Sequence, residues 1–255
     1  MTRARRAPGE GRLADAVDAV VLAAGRGVRL GRATARTPKV LLEVAGRPLL
    51  DYHLEALASV GVRRVVLVVQ YLAEQIEQHV RDRPVEGLDI TFVRQREPLG
   101  TGHAVLVAGP NVRTDRFLVC YADVFLPSER RLLRDFLSDP IPKIAAAEVE
   151  DGGSFGRLSV RAESGYARLV GLEEKDGRPV PALVNAGLYL LPKSILDRVA
   201  RLSPSVRGEY ELTDAIREYV TSGGEMRVVP VGEWVDAGTK ESLARARDLG
   251  SRARP

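Results

Sequence analysis

Four short apolar runs set the strongest limit on the fold of the first half of this chain. Runs of this kind are typical of strands buried on both faces of a mostly parallel sheet. Between them, RPLLDYHLEALASVG (47–61) and LAEQIEQHVRD (72–82) carry apolar residues at helical spacing. This alternation predicts an α/β fold with a doubly wound, mostly parallel sheet, which binds ligands beyond the carboxyl ends of its strands. The runs are DAVVLAAG (18–25), RRVVLVVQ (63–70), LDITFVRQ (88–95) and RFLVCYAD (116–123).

The pattern changes after Asp139 to short strand-like segments separated by Gly-rich and charged turns. These segments predict a smaller β-rich lobe laid against the sheet. Because the apolar runs are spread evenly over the 255 residues, we expect a single domain. Its predicted extent is residues 17–248, with parts at 17–139 and 140–248.

The net charge of +4 comes from the two ends of the chain. Four arginines face one glutamate in residues 1–12, and four arginines face one aspartate in residues 245–255, so the body between them is slightly acidic. We expect disordered basic tails at residues 1–16 and 249–255, and no nucleic-acid partner. A nucleic-acid arm is the alternative for these tails.

Apolar content and cysteine use predict the compartment. No run approaches the roughly 18 apolar residues that a membrane span needs, so we expect no membrane partner. The single cysteine, Cys120, has no partner for an internal disulfide and suits a reducing compartment. The sequence therefore predicts a cytoplasmic protein.

A loop rich in glycine and arginine follows the first apolar run. Its glycines fit neither the dinucleotide nor the P-loop spacing, yet they would let backbone N–H groups approach a polyphosphate. Arg29 and Lys39 would add two cations. A flexible surface loop with solvated cations is the alternative.

The segment LAAGRGVRLGRATARTPK (22–39) resembles the N-terminal motif of the sugar-1-phosphate nucleotidylyltransferase family, roughly L-A-A-G-x-G-T-R-L-x-P-x-T-x-x-x-P-K. The resemblance covers about residues 17–248. Val28, Arg32 and Ala122 depart from the family pattern, but none of these changes removes a cation or a metal ligand. The further matching segments are EPLGTGHAV (97–105), YAD (121–123), FGRL (155–158), EEK (173–175), VNAGLYLL (184–191), GEYELTDAI (208–216) and WVDAGTKESL (234–243).

The resemblance implies a Rossmann-like nucleotidyltransferase fold and a reaction that joins a nucleoside triphosphate to a sugar 1-phosphate with release of pyrophosphate. The part at 17–139 would bind the nucleotide, and the part at 140–248 the sugar phosphate. It also implies Mg²⁺, held by Asp123 and Asp236, either of which could otherwise be a cap or turn residue. Arg29, Lys39 and Lys175 would be catalytic, with Lys175 on the sugar phosphate.

The resemblance assigns the remaining site residues by position. Gly156, Glu174 and Asn185 would bind the sugar, and Glu209 and Thr213 could shape the floor of the sugar site, with Asp214 there or serving as a cap. The three histidines are interpreted as structural residues. The predicted nucleotide-binding residues are Leu22, Ala23, Ala24, Gly25, Gly27, Gln95, Pro98, Gly100 and Thr101.

The nucleobase and the acceptor stay open at this stage. UTP or dTTP is the favoured donor, and Gln95 has an amide that could pair with more than one base. A mannose-type guanylyltransferase, a cytidylyltransferase for phosphocholine or a polyol phosphate, and a non-catalytic regulatory relative are the alternatives. The chain leaves no room after the last predicted helix for a left-handed β-helix, so we expect a single activity. A homo-oligomer is compatible with the sequence.

Overall fold

The computed structural model describes residues 17–175 and 177–252. The basic segment 1–16, Asp176 and residues 253–255 lie outside the described residues, and so does the prediction of a disordered N-terminal tail. The strands are β1 Asp18–Ala23, β2 Glu43–Val44, β3 Arg47–Pro48, β4 Arg64–Val69, β5 Asp89–Arg94, β6 Arg116–Tyr121, β7 Val124–Phe125, β8 Lys143–Val149, β9 Arg157–Glu163, β10 Tyr166–Glu173, β11 Ala182–Pro192, β12 Arg227–Pro230 and β13 Val235–Asp236. The helices are α1 Leu49–Val60, α2 Ala73–Asp82, α3 Gly100–Ala108, α4 Glu129–Phe136, α5 Ile195–Val199, α6 Leu212–Thr221 and α7 Lys240–Arg252, with 3₁₀ turns at Val28–Thr34, Lys39–Leu41 and Gly109–Asn111.

A nine-stranded sheet forms the centre of the molecule, in the order β5-β4-β1-β6-β11-β8-β12-β10-β9. The strands β5, β4, β1 and β6 are parallel, and β11 then pairs antiparallel with both β6 and β8. The chain leaves β1 towards β4 on one side and returns to β6 on the other. The carboxyl ends of β1 and β6 therefore border a topological switch point, where α/β folds bind ligands.

Helices cover both faces of the sheet. Leucines of α1 pack with α2 and α4 in one apolar cluster, and α3, α5 and α6 pack in a second cluster on the opposite face. A third cluster joins Leu30, Phe125 and Leu243, so it links the glycine-rich loop to α7. Helices on both faces confirm the predicted doubly wound architecture.

The smaller β-rich lobe does not form a separate layer. Its strands continue the main sheet, because the eleven-residue strand β11 hydrogen-bonds to β6, β8 and β9. The sheet is consequently parallel in its first half and mixed in its second. Sequence periodicity could not place this junction, since strand pairing across the chain is a long-range property.

The predicted C-terminal tail was wrong for residues 249–252, which are the last residues of α7. Leu249 packs against the third apolar cluster, and a Cβ on Gly250 would lie 2.7 Å from Val44. These contacts hold the end of the helix on β2 in spite of its arginines. Within the residues that the structure describes, no helix has the length and apolar content needed to cross a bilayer.

Candidate active site

A cleft of about 430 Å³ opens at the carboxyl ends of β1 and β6. Residues from both halves of the chain line it, so the site depends on the continuous sheet. Most of the predicted site residues lie here: Leu22, Ala24, Gly25, Arg29, Gln95, Pro98, Gly100, Thr101, Asp123, Gly156, Glu174, Lys175, Asn185 and Asp236. Ala23 is buried within β1, and Gly27 and Lys39 lie behind the lining.

Thr34 organises the glycine-rich loop from within. Its hydroxyl donates hydrogen bonds to the carbonyl oxygens of Gly27 at 2.9 Å and Gly31 at 3.3 Å. Both glycines have a positive φ, at 67° and 60°, which L side chains rarely adopt. A Cβ on Gly27 would lie 3.1 Å from Thr34 and 3.2 Å from Lys39. The loop therefore packs tightly against the lysine of the Pro-Lys pair.

Lys39 lies between two aspartates at the centre of the site. Its Nζ is 2.6 Å from Asp123 Oδ2 and 3.4 Å from Asp236 Oδ1. The lysine side chain is only 6% exposed, whereas the carboxylates are 34% and 25% exposed, so their oxygens remain accessible from the cleft. We call Lys39, Asp123 and Asp236 the carboxylate–lysine cluster.

A two-stranded ribbon brings the aspartates together. Strands β7 and β13 pair antiparallel with Val124 opposite Asp236, and the Ala237 N–H donates to the Asp123 carbonyl oxygen at 3.0 Å. Backbone pairing thus fixes the separation of two residues that are far apart in sequence. Aligned motifs predicted these two carboxylates, but only the ribbon explains why they meet.

Charge within the cluster is unbalanced, because two carboxylates share one ammonium group. Burial opposes the charge of Lys39, but Asp123 and Asp236 outweigh it and raise its pKa. Burial also disfavours ionisation of Asp123, yet Lys39 lowers its pKa. The pKa of Asp236 is raised by burial and by Asp123, against the opposing effects of Lys39 and Arg29. A second cation would relieve this imbalance.

Donor chemistry decides which cation fits. Among residues 17–175 and 177–252, no group of three or more His, Cys, Asp or Glu could hold a metal on its own. Two carboxylates open to a cleft instead suit a hard divalent cation that keeps its waters and takes phosphate oxygens as further ligands. Asp123 and Asp236 meet that requirement.

The opposite end of the cleft is built around Gln95. Its Nε2 donates to the Gly100 carbonyl oxygen and to His103 Nδ1, both at 3.0 Å. Gly100 has φ 92°, and a Cβ there would lie 2.7 Å from the Tyr210 carbonyl oxygen. Backbone hydrogen bonds join Gly102 to Tyr210 and Tyr210 to Leu99, so the turn into α3 packs directly on the 208–212 segment.

Three carboxylates line the remaining part of the cleft, and one arginine beside it pairs with all three. Arg207 contacts Glu174, Glu209 and Glu211, and the Thr213 hydroxyl donates to Glu174. Burial, together with Glu174 and Glu209, raises the pKa of Glu211 to about 7 despite its hydrogen bond from Arg207. This end of the site presents several acceptors for hydroxyl groups.

Asn185 has a different environment from the one expected. Its Nδ2 donates to the Tyr189 hydroxyl, and its Oδ1 accepts the Gly187 N–H at 3.0 Å. The Tyr189 hydroxyl in turn donates to the Tyr121 hydroxyl at 3.1 Å. The amide therefore holds the irregular part of β11 in place and shapes the floor of the cleft.

Comparison with known families identifies the chain. The family model described as nucleotidyl transferase matches residues 18–250. The chain belongs to the nucleotidyl transferase family. This match confirms the family predicted from the glycine-rich loop and the seven further matching segments.

Curated relatives of this nucleotidyl transferase are about one-third identical to it. Glucose-1-phosphate thymidylyltransferase of Streptomyces antibioticus is 36% identical over 86% of the chain, which covers 62% of that relative. The same enzyme of Streptomyces griseus is 34% identical over 91% of the chain, and 65% of that relative is covered. UTP–glucose-1-phosphate uridylyltransferase AglF of Haloferax volcanii is 31% identical over 90% of the chain and 95% of its own length. The chain thus spans less than two-thirds of the two thymidylyltransferases.

Solved structures show the same fold. A crystal structure of UDP-glucose pyrophosphorylase with UDP-glucose superposes with a TM-score of 0.83 at 21% identity, covering 93% of this chain and 99% of that one. A putative glucose-1-phosphate thymidylyltransferase of Bacillus anthracis has a TM-score of 0.81 at 25% identity, covering 92% of this chain and 95% of that one. These likenesses confirm the predicted Rossmann-like nucleotidyltransferase fold.

Several residues of the nucleotidyl transferase cleft were absent from the predicted set. Glu211 lies within the 208–212 segment and pairs with Arg207, and Tyr121, Phe155 and Trp234 line the cleft wall. The quoted motif GEYELTDAI was the signal that could have pointed to Glu211. Lys175 lines the edge of the cleft, where its side chain is exposed. Asp214 pairs with Arg217 at 2.8 Å outside the cleft.

Proposed function

We propose that this chain transfers a uridylyl or thymidylyl group from UTP or dTTP to a sugar 1-phosphate and releases pyrophosphate. The observation that carries the proposal is the carboxylate–lysine cluster, placed between the Gln95 end and the Glu174 end of one cleft. A reaction between two polyanions needs such a centre, because it proceeds mainly through positioning and charge neutralisation.

The chain's own residues have separable tasks in this reaction. Backbone N–H groups of the glycine-rich loop, with Arg29 and Lys39, would hold the triphosphate and neutralise charge on the departing pyrophosphate. Lys175, exposed at the cleft edge, would hold the phosphate of the acceptor for in-line attack on the α-phosphorus. We assign Asp123 and Asp236 as ligands for Mg²⁺, which when bound would neutralise phosphate charge.

Base preference follows from the hydrogen bonds of Gln95. Its amide N–H groups are directed to Gly100 and His103, so its carbonyl oxygen is the group left for a ligand. A carbonyl oxygen accepts a hydrogen bond from the N3–H of uracil or thymine, whereas cytosine N3 is itself an acceptor. This supports UTP or dTTP over CTP. The names of the thymidylyltransferase and uridylyltransferase relatives point the same way.

The acceptor is proposed to be a hexose 1-phosphate. Glu174, Glu211 and Thr213 offer oxygen atoms at the end of the cleft beyond the cluster, as recognition of several hydroxyl groups requires. Gly156 leaves room there, since a Cβ at this position would meet Leu172 and Thr213 only at 3.5 Å. Glucose 1-phosphate, which the relatives' names contain, is the first acceptor to test.

The deciding experiment measures pyrophosphate release with Mg²⁺ for UTP, dTTP, GTP, CTP and ATP against several hexose 1-phosphates and phosphocholine. Asp236→Asn serves as the blank, because the substitution removes a proposed metal ligand and keeps the side-chain shape. Turnover with UTP or dTTP and a hexose 1-phosphate is the expected result. Turnover confined to GTP, or to CTP with phosphocholine, would contradict the base or acceptor assignment. Nucleotide binding without turnover would point to a regulatory relative.

A further inference from the structure

A buried histidine–glutamate pair lies directly behind the carboxylate–lysine cluster. His53 of α1 and Glu129 of α4 are 2% and 4% exposed, and His53 Nδ1 is 2.7 Å from Glu129 Oε1. The other ring nitrogen, Nε2, is 2.8 Å from the carbonyl oxygen of Val124. Val124 follows Asp123 in sequence and begins β7, the strand that pairs with β13.

The contact with Val124 fixes where the imidazole carries a proton. A carbonyl oxygen can only accept, so Nε2 must be the donor in that bond. Nδ1 faces a carboxylate, which holds the ring in this orientation. Burial disfavours a charged imidazole, but Glu129 outweighs burial and raises the pKa of His53. Orientation of the ring and direction of its Nε2–H are therefore set by one partner, Glu129.

Stability alone is a poor explanation for this pair. Replacing a buried ion pair by apolar side chains of similar size is often neutral or stabilising, because both charges lose their hydration. Among the residues that the structure describes, Glu129 Oε2 is buried without a hydrogen-bond partner, which adds to that cost. The arrangement does give the Asp123–Val124 backbone two fixed points: the His53 bond to Val124, and the Ala237 N–H bond to the Asp123 carbonyl oxygen.

We propose that His53 and Glu129 are positioning residues that hold the Val124 carbonyl group and thereby orient the Asp123 carboxylate towards the divalent cation. The inference rests on the proposed function of Asp123 as a metal ligand. Partners that orient a metal ligand typically affect metal affinity by about 10- to 100-fold when removed. Neither residue lines the cleft, so the expected loss is in the metal-dependent part of nucleotide binding.

The measurement is calorimetric binding of UTP with Mn²⁺ and without any divalent metal, together with urea unfolding of each protein. The ratio of the two dissociation constants isolates the contribution of the metal. In the double variant His53→Leu/Glu129→Leu, we expect stability close to that of the wild type and an unchanged dissociation constant for UTP without metal. We expect the factor by which Mn²⁺ strengthens UTP binding to fall about tenfold or more. A folded double variant with the wild-type ratio would overturn the proposal.

Two single variants give a second test that does not depend on the double variant folding. In His53→Gln, the amide can reach the position of Nε2 and donate to Val124, whereas the shorter His53→Asn can reach only the position of Nδ1. We call the UTP dissociation constant without metal, divided by the one with Mn²⁺, the Mn²⁺ ratio. We expect this ratio to fall in His53→Asn and to be largely kept in His53→Gln. Equal ratios in the two variants would refute a role that acts through Val124.

The chain provides a matched control in a second histidine–carboxylate pair, which joins α2 to α1. His79 Nε2 is 2.6 Å from Asp51 Oδ1, between α1 and α2 and away from β7. His79→Leu is expected to lower stability without changing the Mn²⁺ ratio. A wild-type protein that binds UTP equally with and without Mn²⁺ would refute the metal site itself, whereas one that binds neither UTP nor dTTP would refute the proposed function.

Discussion

Glu211 should make the unliganded protein less stable as the pH rises through neutrality. Its pKa is raised from 4.5 to about 7 in the folded state, first by burial and then by Glu174 and Glu209. The folded chain therefore keeps a proton that the unfolded chain has already released. The free energy of unfolding contributed by this group is fully present below pH 4.5 and is lost as the pH rises towards 7.

The size of the effect follows from the shift in pKa. One pKa unit corresponds to about 1.4 kcal/mol, so raising the pKa of Glu211 from 4.5 to about 7 amounts to about 3.5 kcal/mol in full. Glu211→Gln removes the titration while keeping a group that can accept a hydrogen bond from Arg207. Groups that titrate in both proteins, His53 among them, cancel in the comparison between wild type and variant.

Urea unfolding at pH 5 and pH 8, without metal or nucleotide, measures the difference. We expect the wild type to lose about 2.5 kcal/mol more than Glu211→Gln between these two pH values, because a small part of the loss has already occurred at pH 5. Glu163→Gln, on the exposed Arg161 ion pair of β9, is a matched control and should behave as the wild type does. An equal loss in the wild type and in Glu211→Gln would refute the reasoning.

Three substitutions test the remaining parts of the site. Asp236→Asn should lower turnover about 100-fold or more and leave urea unfolding nearly unchanged, because it removes charge from the metal site; wild-type turnover at limiting Mg²⁺ would contradict the ligand assignment. Lys175→Ala should raise the Michaelis constant of the sugar phosphate with little change in stability, since the side chain is exposed. A change confined to the Michaelis constant of the nucleotide would contradict the placement of this lysine on the sugar phosphate. Gly100→Ala should cost more than about 2 kcal/mol of stability, because its φ is positive and its Cβ would press on Tyr210. Gly165→Ala is the control for that substitution, since its φ is 87° but nothing lies within 4 Å, and an equal cost in the two variants would rule out the steric contribution.

Local motifs were sufficient to predict the centre of the site. Arg29 and Lys39 lie within one stretch of sequence, and Asp123 directly follows an apolar run that is a buried strand. Each of these residues follows a predicted parallel strand, so the sequence also placed them at the carboxyl edge of the sheet. Their roles as ligands and catalytic groups stay predictions that the proposed experiments address.

Contacts between distant segments were beyond the reach of the sequence. No motif pointed to Arg207, yet it joins three glutamates of the cleft. Asn185 lines the cleft, and its assignment to the sugar stays a prediction; the sequence did not reveal that its amide also holds Tyr189 and Gly187. Such partners depend on how β11 enters the sheet, and periodicity carries no information on strand pairing.

The ribbon of β7 and β13 determines when the carboxylate–lysine cluster can form during synthesis of the chain. Synthesis begins at the amino terminus, and Lys39 precedes Asp123 by 84 positions but Asp236 by 197. A nascent chain can thus complete the parallel strands β1, β4, β5 and β6 long before the second aspartate exists. The carboxylate pair is assembled only when β13 emerges and pairs with β7, so a growing chain can pair its parallel strands well before the carboxylate–lysine cluster is complete.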